Sequence, residues 1–131
     1  MQPVTDPRHA DVTATMADYF DGLYGSDTSR LKRVFHPRAS YVCATDGTLV
    51  CLTMDEYFAV VDRRPSPASR NERRVDRILS IEFAGPVTAL VRAECAIGPK
   101  FFTDLLSFVF LDGRWQIIAK VFHYEEQAQP A

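Results

Sequence analysis

The sequence predicts an α+β fold, with three helices packed on one side of a strongly curved, mostly antiparallel sheet. Three observations predict it. Helical periodicity is concentrated before residue 65, long β-rich runs fill the remainder, and an Asp112-Gly113 turn joins the last two runs into a hairpin. That hairpin is apolar on both faces. Phe102, Leu106, Phe108 and Phe110 point one way, and Phe101, Leu105, Val109 and Leu111 the other. Both faces need a cover, one from the chain's own helices and the other expected from a second subunit.

The first helix is expected from about His9 to Tyr24, because Val12, Met16, Tyr19, Phe20 and Leu23 recur at i, i+3, i+4 spacing and Gly25 stops it. A short helix over Thr28 to Phe35 follows, capped by Asp27 or Ser26 and ended by His36-Pro37. Ala39 to Thr45 and Thr48 to Leu52 form a small hairpin around Asp46-Gly47. Thr53 and Glu56 make a capping box for a third helix carrying Tyr57, Phe58 and Val61, which ends in the RRPSP loop at 63–67. Strands are expected at Glu72 to Phe83, Val87 to Ile97, Phe101 to Leu111 and Arg114 to Tyr124.

A chain of 131 residues without an internal repeat or a Pro/Gly/Ser-rich linker reads as a single domain over 1–131, with an ordered core at about 8–125. The net charge of −2 argues against a chain devoted to nucleic acid or anionic lipid, and no apolar run approaches the about 20 residues of a membrane helix. The first residues lack the basic and apolar regions of a signal peptide. The three cysteines, Cys43, Cys51 and Cys95, have no zinc-type spacing and read as reduced thiols of a cytoplasmic protein. No metal site, nucleotide fingerprint or phosphate-binding glycine loop is present, so no cofactor is expected.

Three segments carry a family resemblance: YFDGLYGSD, VFHPRASYVCATDG and FFTDLLSFVFLDGRWQIIAKVFH. With the order of elements, they resemble the NTF2-like cone of the ketosteroid isomerase, scytalone dehydratase and SnoaL-type families over about residues 10–124. They are most similar to a family of small bacterial proteins described as putative lumazine-binding. The resemblance implies a pocket between helices and sheet, often a dimer through the outer sheet face, and no common reaction. It also places Tyr19 at the isomerases' oxyanion-hole tyrosine. The isomerase base falls at Cys43, which is not a carboxylate, and the second oxyanion donor near Leu106, so steroid isomerisation is not expected.

Pairing Leu111 with Arg114 sets His123 opposite Phe102, Val121 opposite Asp104 and Ala119 opposite Leu106. In that register Asp104 and His123 are diagonal neighbours on the inward face, a carboxylate orienting an imidazole for acid/base work, with Tyr19 as a further donor. The alternative is an Asp–His hydrogen bond that only satisfies two buried groups. A one-residue bulge would reverse the assignment and aim Lys120 inward; otherwise Lys120 faces outward to pair with an acid. Expected ligand contacts are Tyr19, Tyr41, Cys43, Phe102, Asp104, Leu106, Trp115 and His123. Tyr57 is a further candidate phenol for the cavity, and Cys43 reads better as structural than as a nucleophile because its neighbours are apolar. The arginines at 63, 64, 70, 73, 74 and 77 are interleaved with acids and read as a solvated loop at the cavity mouth, able to attract an anionic ligand. A pocket protein for a small hydrophobic or aromatic ligand, dimeric through its sheet, is therefore expected. An isomerase, dehydratase or cyclase using the His–Asp pair and a non-catalytic dimerisation module are the alternatives.

Overall fold

The computed structural model describes residues 6–127. Helix α1 (Pro7–Gly25) starts where the Asp6 side chain accepts from the Arg8 backbone N–H at 2.9 Å, with proline in the first turn. It ends at Ser26, whose φ of 47° is left-handed. Its apolar stripe, Val12, Met16, Tyr19, Phe20 and Leu23, is buried as the spacing requires. Asp27 caps α2 (Thr28–Val34) and passes the chain directly into β1 (Phe35–Cys43). Pro37 therefore lies inside a strand. It is tolerated there because the β1 register is already interrupted between Phe35 and Ser40.

After β2 (Val50–Thr53), the capping box between Thr53 and Glu56 opens α3 (Met54–Arg63). Tyr57, Phe58 and Val61 are buried on its inner side. A single 3-10 turn, Ala68–Arg70, crosses to β3 (Asp76–Phe83), which begins four residues later than the sequence suggests. Strands β4 (Thr88–Ile97), β5 (Lys100–Leu111) and β6 (Arg114–Glu126) complete a six-stranded sheet of order β2-β1-β6-β5-β4-β3. Among the described residues only the β1–β6 pair is parallel. The helices cover one face of this curved, unclosed sheet, giving the α+β cone that the element order predicts.

The Asp112-Gly113 turn has φ of 54° and 77°, the left-handed pair that a two-residue hairpin demands. From it the pairing runs as expected to Phe108–Ile117 and then slips, because Ser107 pairs with Ala119. Ile118 is the extra residue of a β-bulge. Before it, Trp115 and Ile117 face inward; after it, Lys120, Phe122 and Tyr124 do. His123 is turned out, its side chain 59% exposed, and the expected Asp104–His123 pair does not form. Its ring Nδ1 instead lies 3.0 Å from Thr45 Oγ1. The bulge is invisible in the apolar pattern because Ile117, Ile118 and Ala119 suit either face.

Candidate functional site

The bulge delivers Lys120 to the inner face, where it is 4% exposed. Four aromatic rings surround its ammonium: Tyr19 at 5.2 Å, Phe122 at 5.3 Å, and Tyr41 and Tyr57 each at 5.5 Å. These rings come from α1, β6, β1 and α3, so helix packing and strand register both define the cluster. Tyr41 is the direct neighbour of Lys120 in the β1–β6 ladder, and its ring stacks on Tyr57 at 4.5 Å. Fully buried Asp104 accepts a 2.6 Å hydrogen bond from the Tyr19 hydroxyl. Its second oxygen, Oδ1, and the Tyr57 hydroxyl are closed to solvent without a partner.

Burial alone would push the Lys120 ammonium down. The neighbouring Tyr57, Asp104, Tyr41 and Cys95 more than offset this, so its pKa stands above the ordinary lysine value and the group stays cationic. Tyr19 is raised well above the usual phenol, first by burial and then by the adjacent Asp104 charge. Burial likewise raises Tyr41, while the positive charges of Lys120 and Arg64 pull against it. The Cys95 thiol is pushed up to about 12, by burial first and Asp104 second, so it is not a thiolate nucleophile at neutral pH.

Tyr41 and Phe122 also stand in the wall of a cavity of about 470 Å³. Phe102, Tyr124 and Cys43 continue that wall, and Arg64 and Pro65 bring the end of α3 to it. Thr45, Asp46, Thr48 and Val50 form its border on the β1–β2 side. The charged cluster of Lys120, Asp104 and Tyr19 lies behind the Tyr41 and Phe122 rings and does not line the cavity.

Of the residues expected at the site, the structure brings Tyr41, Cys43 and Phe102 to this wall. Tyr19 and Asp104 meet each other behind it. Leu106 is fully buried core, and Trp115 packs on Phe83 and Phe110 toward the hairpin end of the sheet. His123 is outside altogether. Cys43 is buried, and its sulfur accepts from the Thr45 backbone N–H at 3.4 Å. Residues missed by the sequence reading left faint traces. Phe122 and Tyr124 are more apolar than the intervening His123, which favours their phase inward. Arg64, expected from the sequence only as one of several arginines at the cavity mouth, continues the buried helical face of Tyr57 and Val61 at i+7 and i+3. Among the described residues, no group of three or more His, Cys, Asp or Glu side chains is placed to hold a metal, and no helix is long and apolar enough to cross a membrane.

The family model described as "Putative lumazine-binding" matches residues 7–123. The chain belongs to that family. Solved structures agree with its NTF2-like fold. An NTF2-like protein of unknown function from Shewanella baltica OS155 superposes with a TM-score of 0.84 at 19% identity, covering 96% of this chain and 100% of the other. Another, from Silicibacter pomeroyi DSS-3, gives 0.77 at 24% identity, covering 93% and 100%. A curated relative named Aldolase FrzH, from Cladobotryum sp, is 28% identical over 122 residues, 92% of this chain and 94% of its own length.

Proposed function

We propose that this family member is a binding protein for a small, flat aromatic molecule, held in the cavity bordered by β1, β5, β6 and the end of α3. One observation carries the reading. The cavity, about 470 Å³, is walled by the aromatic side chains Tyr41, Phe102, Phe122 and Tyr124. That volume falls within the roughly 300–1,000 Å³ of small-molecule sites, and aromatic walls reward a ligand that can stack or meet them edge-on. The family's description as lumazine-binding supports the same class. Saturation-transfer NMR against one- and two-ring aromatic fragments tests it. Wild type is expected to give signals that Phe102→Ala, which removes one aromatic ring from the wall, weakens. An absence of binders, or binders indifferent to that substitution, overturns the reading.

A second reading, an enzyme acting beside a carbonyl, is favoured by the curated relative's name and by the cluster behind the wall. Asp104 has one oxygen free to take a proton, and the Lys120 ammonium could stabilise a developing enolate oxygen. A lysine held cationic is unsuited to forming a Schiff base, so its role would be electrostatic. Substrate would reach Asp104 only after the Tyr41 and Phe122 rings part. Deuterium exchange next to the carbonyl of a bound ketone, lost in Asp104→Asn, is the expected sign; no exchange leaves binding alone.

The outer sheet face, with Leu90, Leu105 and Val121 each at least 36% exposed, is proposed as the contact of a homodimer. Sedimentation of wild type at micromolar concentration is expected to show a dimer and Leu105→Asp a monomer. A monomeric wild type refutes it. The free thiols Cys43, Cys51 and Cys95 suit a cytoplasmic location.

A further inference from the structure

Arg64 differs from the arginines around it, of which Arg63 and Arg73 are exposed and the rest are paired. Arg74 is engaged by Asp21 and Asp76 at 2.8 and 2.7 Å, Arg77 by Glu94 at 3.4 Å, and Arg70 approaches Glu72 at 3.9 Å. Arg64 lines the cavity, yet its Nε and Nη2 are closed to solvent and have no hydrogen-bond partner. These two nitrogens form the edge of the guanidinium whose N–H bonds run parallel, the fork that matches the two oxygens of a carboxylate. Leaving such donors desolvated and unpaired is costly, so a buried orphan of this kind calls for a partner.

The acids of the cavity border are committed elsewhere. Asp46 accepts from the Tyr124 hydroxyl at 2.8 Å, and Glu72 from the Gly98 backbone N–H at 2.8 Å. Lys100, in the same cavity wall and over the Tyr124 ring at 4.5 Å, adds positive charge. We infer that the aromatic ligand carries an oxyanion, a carboxylate or an equivalent planar anion, and that Arg64 grips it by turning its Nε–Nη2 edge into the cavity. The inference rests on the aromatic-ligand reading and adds the ligand's charge and the residue that selects it.

The test pairs flat aromatic acids of one to three rings, benzoate and 2-naphthoate among them, with their neutral carboxamides, titrated calorimetrically into the full chain. Wild type is expected to bind the best acid at least tenfold more tightly than its amide. Arg64→Gln, checked for an unchanged urea midpoint, is expected to bind the two alike. Arg64→Lys is expected to recover only part of the preference, because an ammonium cannot offer two parallel donors. Equal affinity for acid and amide in wild type, or a preference that survives in Arg64→Gln, overturns the role of Arg64 while leaving an aromatic site. Failure of every acid and amide to bind overturns both readings.

Discussion

The Tyr19–Asp104 hydrogen bond is the point at which one helix and the sheet interior depend on a single atom. Tyr19 donates at 2.6 Å to a carboxylate with no solvent access, whose other oxygen has no partner. Removing the hydroxyl would leave both carboxylate oxygens desolvated, and hydrogen bonds to charged groups contribute about 1.5–3 kcal/mol. Tyr19→Phe keeps the ring, and with it the 5.2 Å contact to the Lys120 ammonium, so packing is largely preserved. The expected loss in urea-denaturation stability is about 2–3 kcal/mol. In the Tyr19→Phe, Asp104→Leu double mutant the combined loss should fall short of additivity, because each single change orphans the other's partner. Additive losses would show that the two groups are not coupled.

At the scale of elements, the decisive feature is the bulge at Ile118. The three helices, the two β hairpins and the capping boxes or caps that start them were legible because periodicity, asparagine-like turn chemistry and caps act locally. Val12, Met16 and Tyr19 announce α1, and Asp112-Gly113 announces the last turn. Strand phase beyond Ile117 was not legible, since a stretch of Ile-Ile-Ala carries no polarity with which to count faces. That single uncounted residue exchanged His123 for Lys120 and broke up the expected Asp104–His123 pair. Arg64 was equally obscure, because what distinguishes it from exposed Arg63 is the burial of its unpaired guanidinium edge, a property of the packed structure. Deleting Ile118 makes Phe108–Ile117 and Ser107–Ala119 consecutive pairs of an unbroken ladder, so Lys120, Phe122 and Tyr124 stay inward and His123 outward. Deleting Ile118 and Ala119 together must instead rotate Lys120, Phe122 and Tyr124 outward and His123 inward. Exposing Phe122 alone costs about 2 kcal/mol, and burying His123 adds a polar group without a planned partner. The double deletion is expected to unfold the protein or lower its urea midpoint severely, while the single deletion should cost only about 1–2 kcal/mol. Comparable stability of the two deletions would mean that strand phase after the bulge does not hold the fold together.

Over the whole molecule, four interior groups shifted in the same direction set how the fold responds to alkali. Cys95, Tyr19, Tyr41 and Lys120 all have pKa values raised by the folded state. Each therefore holds its proton longer when folded than when unfolded. Wherever the unfolded chain binds fewer protons, stability falls as pH rises. Cys95 acts first: an unfolded thiol near 9 against about 12 in the fold means its contribution is complete below pH 9 and drains away between 9 and 12. The phenols join above their unfolded value of 10, and Lys120 above 10.5. The urea midpoint should thus begin to fall near pH 9, steepen above 10, and in Cys95→Ala begin its fall about one unit later. The last rise in tyrosinate absorbance at 295 nm should belong to Tyr19, which ionises only as the chain unfolds, in step with the loss of near-ultraviolet circular dichroism. If all five tyrosines titrate together near pH 10 in a folded chain, the interior is open to water and the sealed cluster behind the cavity wall does not exist.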